Sequence, residues 1–361
     1  MKKYLVTGCA GFIGSNFVRY MLRQYADILL VNLDKLTYAG NMDNLSGVMD
    51  DPRHVFVRGD ICDRELVMGL FKKYDFDYVV NFAAESHVDR SIASPEIFAQ
   101  TNVLGTVNLL RCAKDAWYDG SRKEWKTGKR YLQISTDEVY GALGPQGRFT
   151  EDTPLDPRSP YSASKAGADC FVRSFFTSYE MPVNILRCSN NFGPYQHPEK
   201  LIPLMIHNAR LHQKLPVYGD GLQIRDWLYV EDCCKAVDLV LRSGRTGEVY
   251  NASGQNEYEN IFVVKTIIAQ LRERLKDEGI SEKLISHIED RQGHDRRYSS
   301  DPSKIKKELG WHAETLFEQG IARTIDWYLE HEEWLNRAAG ADYQKYYEEM
   351  YRKKAELQAA E

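Results

Sequence analysis

The chain has 361 residues, 43% of them hydrophobic and 27% charged, which supplies a large core and excludes a wholly disordered chain. With 47 basic and 52 acidic side chains its net charge is −5, so nucleic-acid binding through bulk charge is disfavoured and an anionic ligand must meet a local cluster of Arg and Lys. No apolar run reaches the ~18–20 residues of a membrane helix. The opening MKKYLVTGCAGFIG breaks at glycines and reads as a buried strand entering a turn, not as a leader. The cysteines Cys9, Cys62, Cys112, Cys170, Cys188, Cys233 and Cys234 are scattered and form no C-x-x-C, which predicts reduced thiols in a cytoplasmic protein and no metal centre.

In chain order, strands are predicted at Tyr4–Thr7, Ile28–Asp34, Val55–Arg58, Tyr78–Ala83, Tyr131–Ser135 and Val183–Cys188. Helical patterns at Ser15–Tyr25, Arg64–Lys73, Ile97–Asp115 and Ser162–Tyr179 fall between them. Continuously apolar strands alternating with helices predict a doubly wound α/β fold, a parallel sheet of Rossmann type covered on both faces. Residues 119–129 read as an exposed loop. Beyond about Asn190, Pro and Gly punctuate shorter segments, and helices follow at Val230–Arg242, Ile261–Glu278 and Leu316–Arg337. This predicts a cofactor-binding domain over 1–190 and a smaller, mixed C-terminal substrate domain over 191–340, with segments free to return across the boundary. A charged helical tail over 341–361 completes the chain, its Tyr343, Tyr346, Tyr347 and Tyr351 forming a packing stripe.

Three constellations carry chemistry. Gly8, Gly11 and Gly14 form G-x-x-G-x-x-G between the first strand and the first helix. Gly8 permits the turn, Gly11 lets a pyrophosphate approach the helix N-terminus, and Gly14 lets the helix approach the sheet. Asp34 closes the second strand, where its carboxylate would accept from an adenosine ribose and repel a 2′-phosphate; NAD is therefore expected rather than NADP. Tyr161 and Lys165 form Y-x-x-x-K, which a helix places on one face about 6 Å apart along its axis, so that the ammonium can lower the phenol's pKa. Thr136, Asp137 and Glu138 follow the fifth strand. Two adjacent carboxyl groups in different environments can serve as acid and base in one site. Side chains alternate along a strand, so all three reach one ligand only if the strand ends near Ser135 or Thr136 and the chain turns.

The T-G-x-x-G-F-I-G turn with Y-x-x-x-K resembles the extended short-chain dehydrogenase/reductase family, whose members act mostly on nucleotide sugars. The resemblance runs from Lys3 to about Trp311. The segments AAESHVDRS, RCSNNFGPY, PEKLIP, YGDGLQIRDWLYVED and GHDRRY narrow it to the family's NAD-dependent 4,6-dehydratases. Cys9, Gln292 and Cys233 depart from the family pattern, which more often has Gly, Pro and His there. The resemblance implies dTDP-glucose as substrate. Tyr161 would take the C4 hydroxyl proton as hydride leaves for NAD, with Thr136 bonded to that oxygen. Glu138 would remove the C5 proton and Asp137 would protonate the departing C6 hydroxyl, before hydride returns to C6.

Around this core the resemblance implies cofactor contacts from Gly8, Gly11, Phe12, Ile13, Gly14, Asp34, Lys35, Leu36, Thr37, Asp60, Ile61, Phe82, Ala83, Ala84, Ser86, Thr101, Tyr161, Lys165 and Asn191. For the substrate it implies Ser86, Thr136, Asn190, Lys200, Leu201, Pro216, Val217, Tyr218, Arg225, Asn260, Arg291, His294 and Tyr298, with Arg225, Arg291 and Lys200 as the cations for the diphosphate. Tyr140 and Trp227 are expected to pack, and Cys188 and Cys233 to be core thiols. A 4-epimerase or decarboxylase would share Tyr161 and Lys165 but has no use for Asp137. GDP-, CDP- or UDP-sugar dehydratases and a non-catalytic NAD-binding protein are the other readings. The resemblance also implies a homodimer packed through the helices Ile97–Asp115 and Ser162–Tyr179.

Overall fold

Seven short, mostly buried segments pair in parallel: β1 (Lys2–Thr7), β2 (Ile28–Asp34), β3 (His54–Arg58), β4 (Tyr78–Asn81), β5 (Arg130–Thr136), β6 (Val183–Cys188) and β7 (Val249–Ala252). Their order across the sheet is β7-β6-β5-β4-β1-β2-β3. The structure, a computed structural model, describes residues 1–340 and Tyr347. Strands such as Ile28–Asp34 are buried on both faces because helices cover both, which their unbroken apolar runs require. On one face Phe17 and Met21 of the helix Phe12–Gln24 pack with Val237 and Leu241 of the helix Val230–Ser243. On the other, Phe71, Leu109, Trp117 and Val172 form a second core. Strand order reverses between β1 and β4, which opens a crevice at the carboxyl ends of the strands.

A smaller lobe stands over that crevice. It holds the three-stranded sheet Asn190–Phe192, Ile224–Tyr229 and Glu257–Glu259, and the parallel pair Leu215–Tyr218 and Ile285–Ile288. Its core contains Phe192, Ile206, Ile267, Phe317 and Ile325. The chain leaves this lobe and returns to it: the helix Val230–Ser243 covers the large sheet and β7 joins its edge beside β6. Among the described residues no helix is long and apolar enough to cross a membrane.

Several elements differ from the sequence expectation. β7 went unread. So did the helix Leu201–Arg210, because its sequence carries Pro203; that proline sits in the first turn, where its missing N–H has no helical partner to lose. The segment read as one helix over Ile97–Asp115 is the helix Pro95–Phe98, a π-helical stretch Ala99–Gly105 and the helix Thr106–Trp117. The wider turns carry Asn102 inward, where it bonds the backbone of Glu85 and the hydroxyl of Ser164. Leu316–Arg337 divides at His331 into Phe317–Glu330 and Glu332–Ala338. The helix from Asn260 stops at Leu275, before Lys276 in the left-handed region. Residues 119–129 hold all but Tyr118 of a small hairpin, Tyr118–Asp119 against Glu124–Trp125. The predicted tail, with Tyr343, Tyr346 and Tyr351, lies outside the described residues; Tyr347 accepts a hydrogen bond from Asn208 at 3.0 Å.

Candidate active site

The crevice holds a cavity of 310 Å³ whose floor is the glycine turn. Gly8 has φ +67°, and a Cβ on it would lie 2.6 Å from the Ala83 nitrogen; a Cβ on Gly14 would lie 2.2 Å from the Gly8 carbonyl oxygen. Strand, turn and helix therefore meet too closely for side chains. The helix that starts at Phe12 has no side-chain cap and no acidic residue in its first turn, so its amide dipoles face the cavity uncompensated. That cradle fits a dinucleotide's pyrophosphate. Asp34 lines the same cavity, its oxygens held by the amides of Ala10 and Leu36 at 2.8 Å each. Lys35, the residue after Asp34, is engaged by Asp60 at 2.7 Å, which neutralises it. All the implied cofactor residues line this cavity except Leu36, which packs against the core beside the first helix instead.

The reacting groups collect where β5 ends. The strand stops at Thr136 and the chain turns into the 3₁₀ helix Asp137–Tyr140. Thr136 caps that helix, its hydroxyl accepting from the Glu138 amide at 3.2 Å. The turn splits the three side chains. Thr136 and Glu138 line the cavity, whereas Asp137 does not; it is 1% exposed behind Thr136, with Oδ1 3.4 Å from the threonine hydroxyl and Oδ2 without a hydrogen-bond partner. Opposite them the helix Pro160–Tyr179 begins with a capping box of Ser159 and Ser162 and with Pro160 at its first position. This start sets Tyr161 and Lys165 against the cavity. Asp169, one turn further on, bonds Ser135 and Arg187 at 3.0 and 2.9 Å and ties the helix to β5 and β6.

The electrostatics separate the two carboxyl groups. Burial, then Glu138 and Asp226, push Asp137 well above the usual carboxylate range. Burial also raises Glu138, but Arg225, Lys200 and Arg291 all draw it back. Asp137 is thus the better proton holder and Glu138 the better base. The expected lowering of Tyr161 by Lys165 is not what the chain produces. Burial, Glu138 and Asp137 push the phenol up, opposed by its hydrogen bond with Thr136, while the Lys165 ammonium donates to the Ile134 carbonyl at 2.7 Å. Burial in turn lowers Lys165 to about 8.

A second cavity of 190 Å³ opens from the first into the smaller lobe. Ser86, Glu138, Asn190, Glu199 and Lys200 line both and mark the junction. The implied substrate residues line this second cavity, apart from Thr136, which faces the first. Arg225 is buried, 4.3 Å from the Tyr298 ring centroid and bonded to the Asp295 carbonyl at 3.0 Å. Lys200 donates to the Ser86 carbonyl at 3.0 Å. Tyr140 stacks on Phe149 and bonds Asn251 at 2.8 Å. Trp227 is buried but also reaches the cavity wall. Cys188 and Cys233 are buried with sulfurs 3.5 Å apart.

Sequence reasoning passed over Asn102, which holds the loop after β4, and the buried Glu199 at the junction, flanked by Lys200 at 3.6 Å and Arg90 and His197 at 3.9 Å. Glu199 lies inside the quoted segment PEKLIP and Asp89 inside HVDRS. The sequence signal was present, but Arg90, which faces Glu199, and Arg291, which faces Asp89, are remote in sequence.

The model of the GDP-mannose 4,6 dehydratase family matches residues 5–324. A dTDP-glucose 4,6-dehydratase of Xanthomonas campestris pv. campestris is 51% identical over 347 residues, covering 95% of this chain and 97% of that protein. The crystal structure of dTDP-glucose 4,6-dehydratase from Bacillus anthracis in complex with NAD superposes with a TM-score of 0.83 at 48% identity, over 94% of this chain and 100% of that one. A dTDP-glucose 4,6-dehydratase from Streptomyces venezuelae, also solved with NAD, gives 0.85 at 45% identity, over 93% and 99% of the two chains.

Proposed function

This chain belongs to the dTDP-glucose 4,6-dehydratase family, and from that premise we propose how its side chains divide the work. It is an NAD-dependent lyase that converts dTDP-glucose to dTDP-4-keto-6-deoxyglucose and water. In our assignment the glycine turn, Asp34 and Lys165 hold the dinucleotide in the first cavity. The second cavity takes the nucleotide, with Arg225, Arg291 and Lys200 meeting the diphosphate. The hexose then lies at the junction, beside Thr136, Glu138 and Tyr161. Bound NAD supplies the hydride acceptor for C4 and later the donor for C6.

Tyr161 takes the C4 hydroxyl proton as the phenolate, with Thr136 sharing the hydrogen bond; because burial keeps the free phenol protonated, that form would rest on the Lys165 ammonium and the positive charge of bound NAD. The C4 ketone acidifies the C5 hydrogen, because the carbanion left behind delocalises onto the carbonyl oxygen. Glu138 removes that proton. Asp137, protonated, supplies the proton with which the C6 hydroxyl leaves as water, its contact with Thr136 linking it to the cavity. Glu138 then returns a proton to C5. The observation that carries this reading is the pair of adjacent carboxyl groups, Glu138 on the cavity wall with Tyr161 and Asp137 buried behind it against the Thr136 hydroxyl.

The test is to incubate the protein with dTDP-, UDP-, GDP- and CDP-glucose and follow product mass. Loss of one water from the dTDP-sugar, well ahead of the others, is expected. An unchanged mass with inverted C4 would mean epimerase chemistry and sink the assignment.

Two coarser features complete the proposal. Residues 1–190 supply most of the cofactor groove and 191–340 most of the nucleotide pocket, and the protein works in the cytoplasm. It acts as a homodimer: Ile97 and Leu104 are 53% and 52% exposed on the segment from Pro95 to Trp117, and Phe171 and Tyr179 are 42% and 47% exposed on the adjacent helix Pro160–Tyr179. Large apolar side chains grouped on neighbouring helices suit a second copy of the same face.

A further inference from the structure

We propose that Asp89 is a positioning residue for substrate binding: it fixes the plane in which the Arg291 guanidinium meets the diphosphate, and so makes the grip on substrate depend on a bond between the two lobes. The inference rests on the assignment of Arg291 to the diphosphate. Asp89 stands on the short helix Val88–Ala93 that follows β4, and Arg291 lies 202 residues away, past the strand Ile285–Ile288 of the smaller lobe. The Asp89 carboxylate accepts from Nε and from Nη2 of Arg291, both at 2.8 Å. This two-point contact leaves the guanidinium no freedom to rotate out of the carboxylate plane. Tyr218 completes the assembly. Its hydroxyl donates to Asp89 at 3.3 Å, and its ring centroid lies 4.9 Å from the guanidinium carbon.

Arg291 and Tyr218 line the second cavity, whereas Asp89 does not. The Asp89 side chain is 6% exposed and that of Arg291 20%. The carboxylate therefore acts through the arginine and not on the substrate. Burial disfavours its charge, but the field of Arg291, with the hydrogen bonds from Arg291 and Tyr218, outweighs this and holds the carboxyl below its usual value. A pair serving only to join the lobes would have no reason to leave its cation on the wall of a cavity. Here the cation is braced from behind and presented forwards.

The experiment measures steady-state kinetics with dTDP-glucose, and calorimetric binding of dTDP, for Asp89→Asn, Asp89→Glu, Arg291→Lys and the double variant Asp89→Asn/Arg291→Lys. Bound NAD and unfolding temperature are recorded for each. We expect Asp89→Asn to raise KM about tenfold with kcat within about threefold of wild type. Binding of dTDP should weaken by a similar factor, NAD content should hold, and the double variant should be no worse than Arg291→Lys. Asp89→Glu keeps the charge but displaces the carboxylate, and should raise KM likewise; it decides the matter if the asparagine variant does not fold. An unchanged KM in both Asp89 variants, beside a raised KM in Arg291→Lys, overturns the role of Asp89 alone. Parallel loss of kcat, NAD content and unfolding temperature in both variants overturns it too, in favour of a lobe-joining contact. Unaltered dTDP binding in Arg291→Lys would overturn the diphosphate assignment and this inference together.

Discussion

Neighbouring carboxyl groups of one chain can be made unlike by a single turn of backbone. Asp137 and Glu138 share a burial penalty, yet the cations Arg225, Lys200 and Arg291 bear most on Glu138. If that difference divides acid from base, Glu138→Gln and Asp137→Asn should retain C4 oxidation while elimination falls about a hundredfold or more. In single-turnover experiments reduced cofactor should then accumulate. Lost hydride transfer with elimination spared would contradict the roles. Lys165 supplies a stability prediction. Burial lowers it from 10.5 to about 8, so between those values the unfolded chain binds a proton that the native state has released. Stability contributed by this group must therefore rise with pH across that window. Denaturant titrations at several pH values should show it as a rise in the stability difference between wild type and Lys165→Met, set against the fall with pH that thiols and phenols raised by burial, such as Cys9, Cys112 and Tyr25, impose on both proteins. The residue types at these positions were readable from motifs; the field each one feels was not, because it is set by side chains far away in sequence.

Elements were legible where the apolar pattern was clear. The helix Pro160–Tyr179 was legible from its pattern over Ser162–Tyr179, though its start at Ser159 and Pro160 was not, and β2 was legible from an unbroken apolar run. Legibility failed where one signal meant two things. Pro203 reads as a breaker but occupies a first turn, and the π-helical stretch Ala99–Gly105 has no sequence period of its own. The strand–turn–helix at Gly8–Gly14 was legible because a close approach of backbones leaves glycine as its trace. Gly14→Ala should force the helix away from the Gly8 carbonyl. We expect a loss of about 1–3 kcal/mol, as overpacking commonly costs, together with weaker retention of NAD. Calorimetry and the cofactor content of the purified variant measure the two effects; an unaltered NAD content would show that the turn tolerates a methyl group.

At the scale of the whole molecule, the parallel α/β architecture followed from strand–helix alternation, while the path between lobes did not. Which strand a late segment joins is a question of long-range pairing, and the run at Val249–Ala252 is too short to announce it. Exposed Leu104 and Phe171 lead to a prediction at this scale. Replacing both by lysine should turn a dimer into a monomer by light scattering, and a wild-type monomer would refute the arrangement. The return of the chain to the large sheet has one more consequence. β7 pairs with β6 along Ile185–Cys188, after an excursion through the smaller lobe. A fragment ending at residue 190 would lack both this strand and the helix Val230–Ser243, leaving bare amides along β6 and an unroofed apolar face. Such a truncation should precipitate on expression instead of yielding an independent nucleotide-binding module, so a gene cannot be cut there to shuffle one lobe onto another partner.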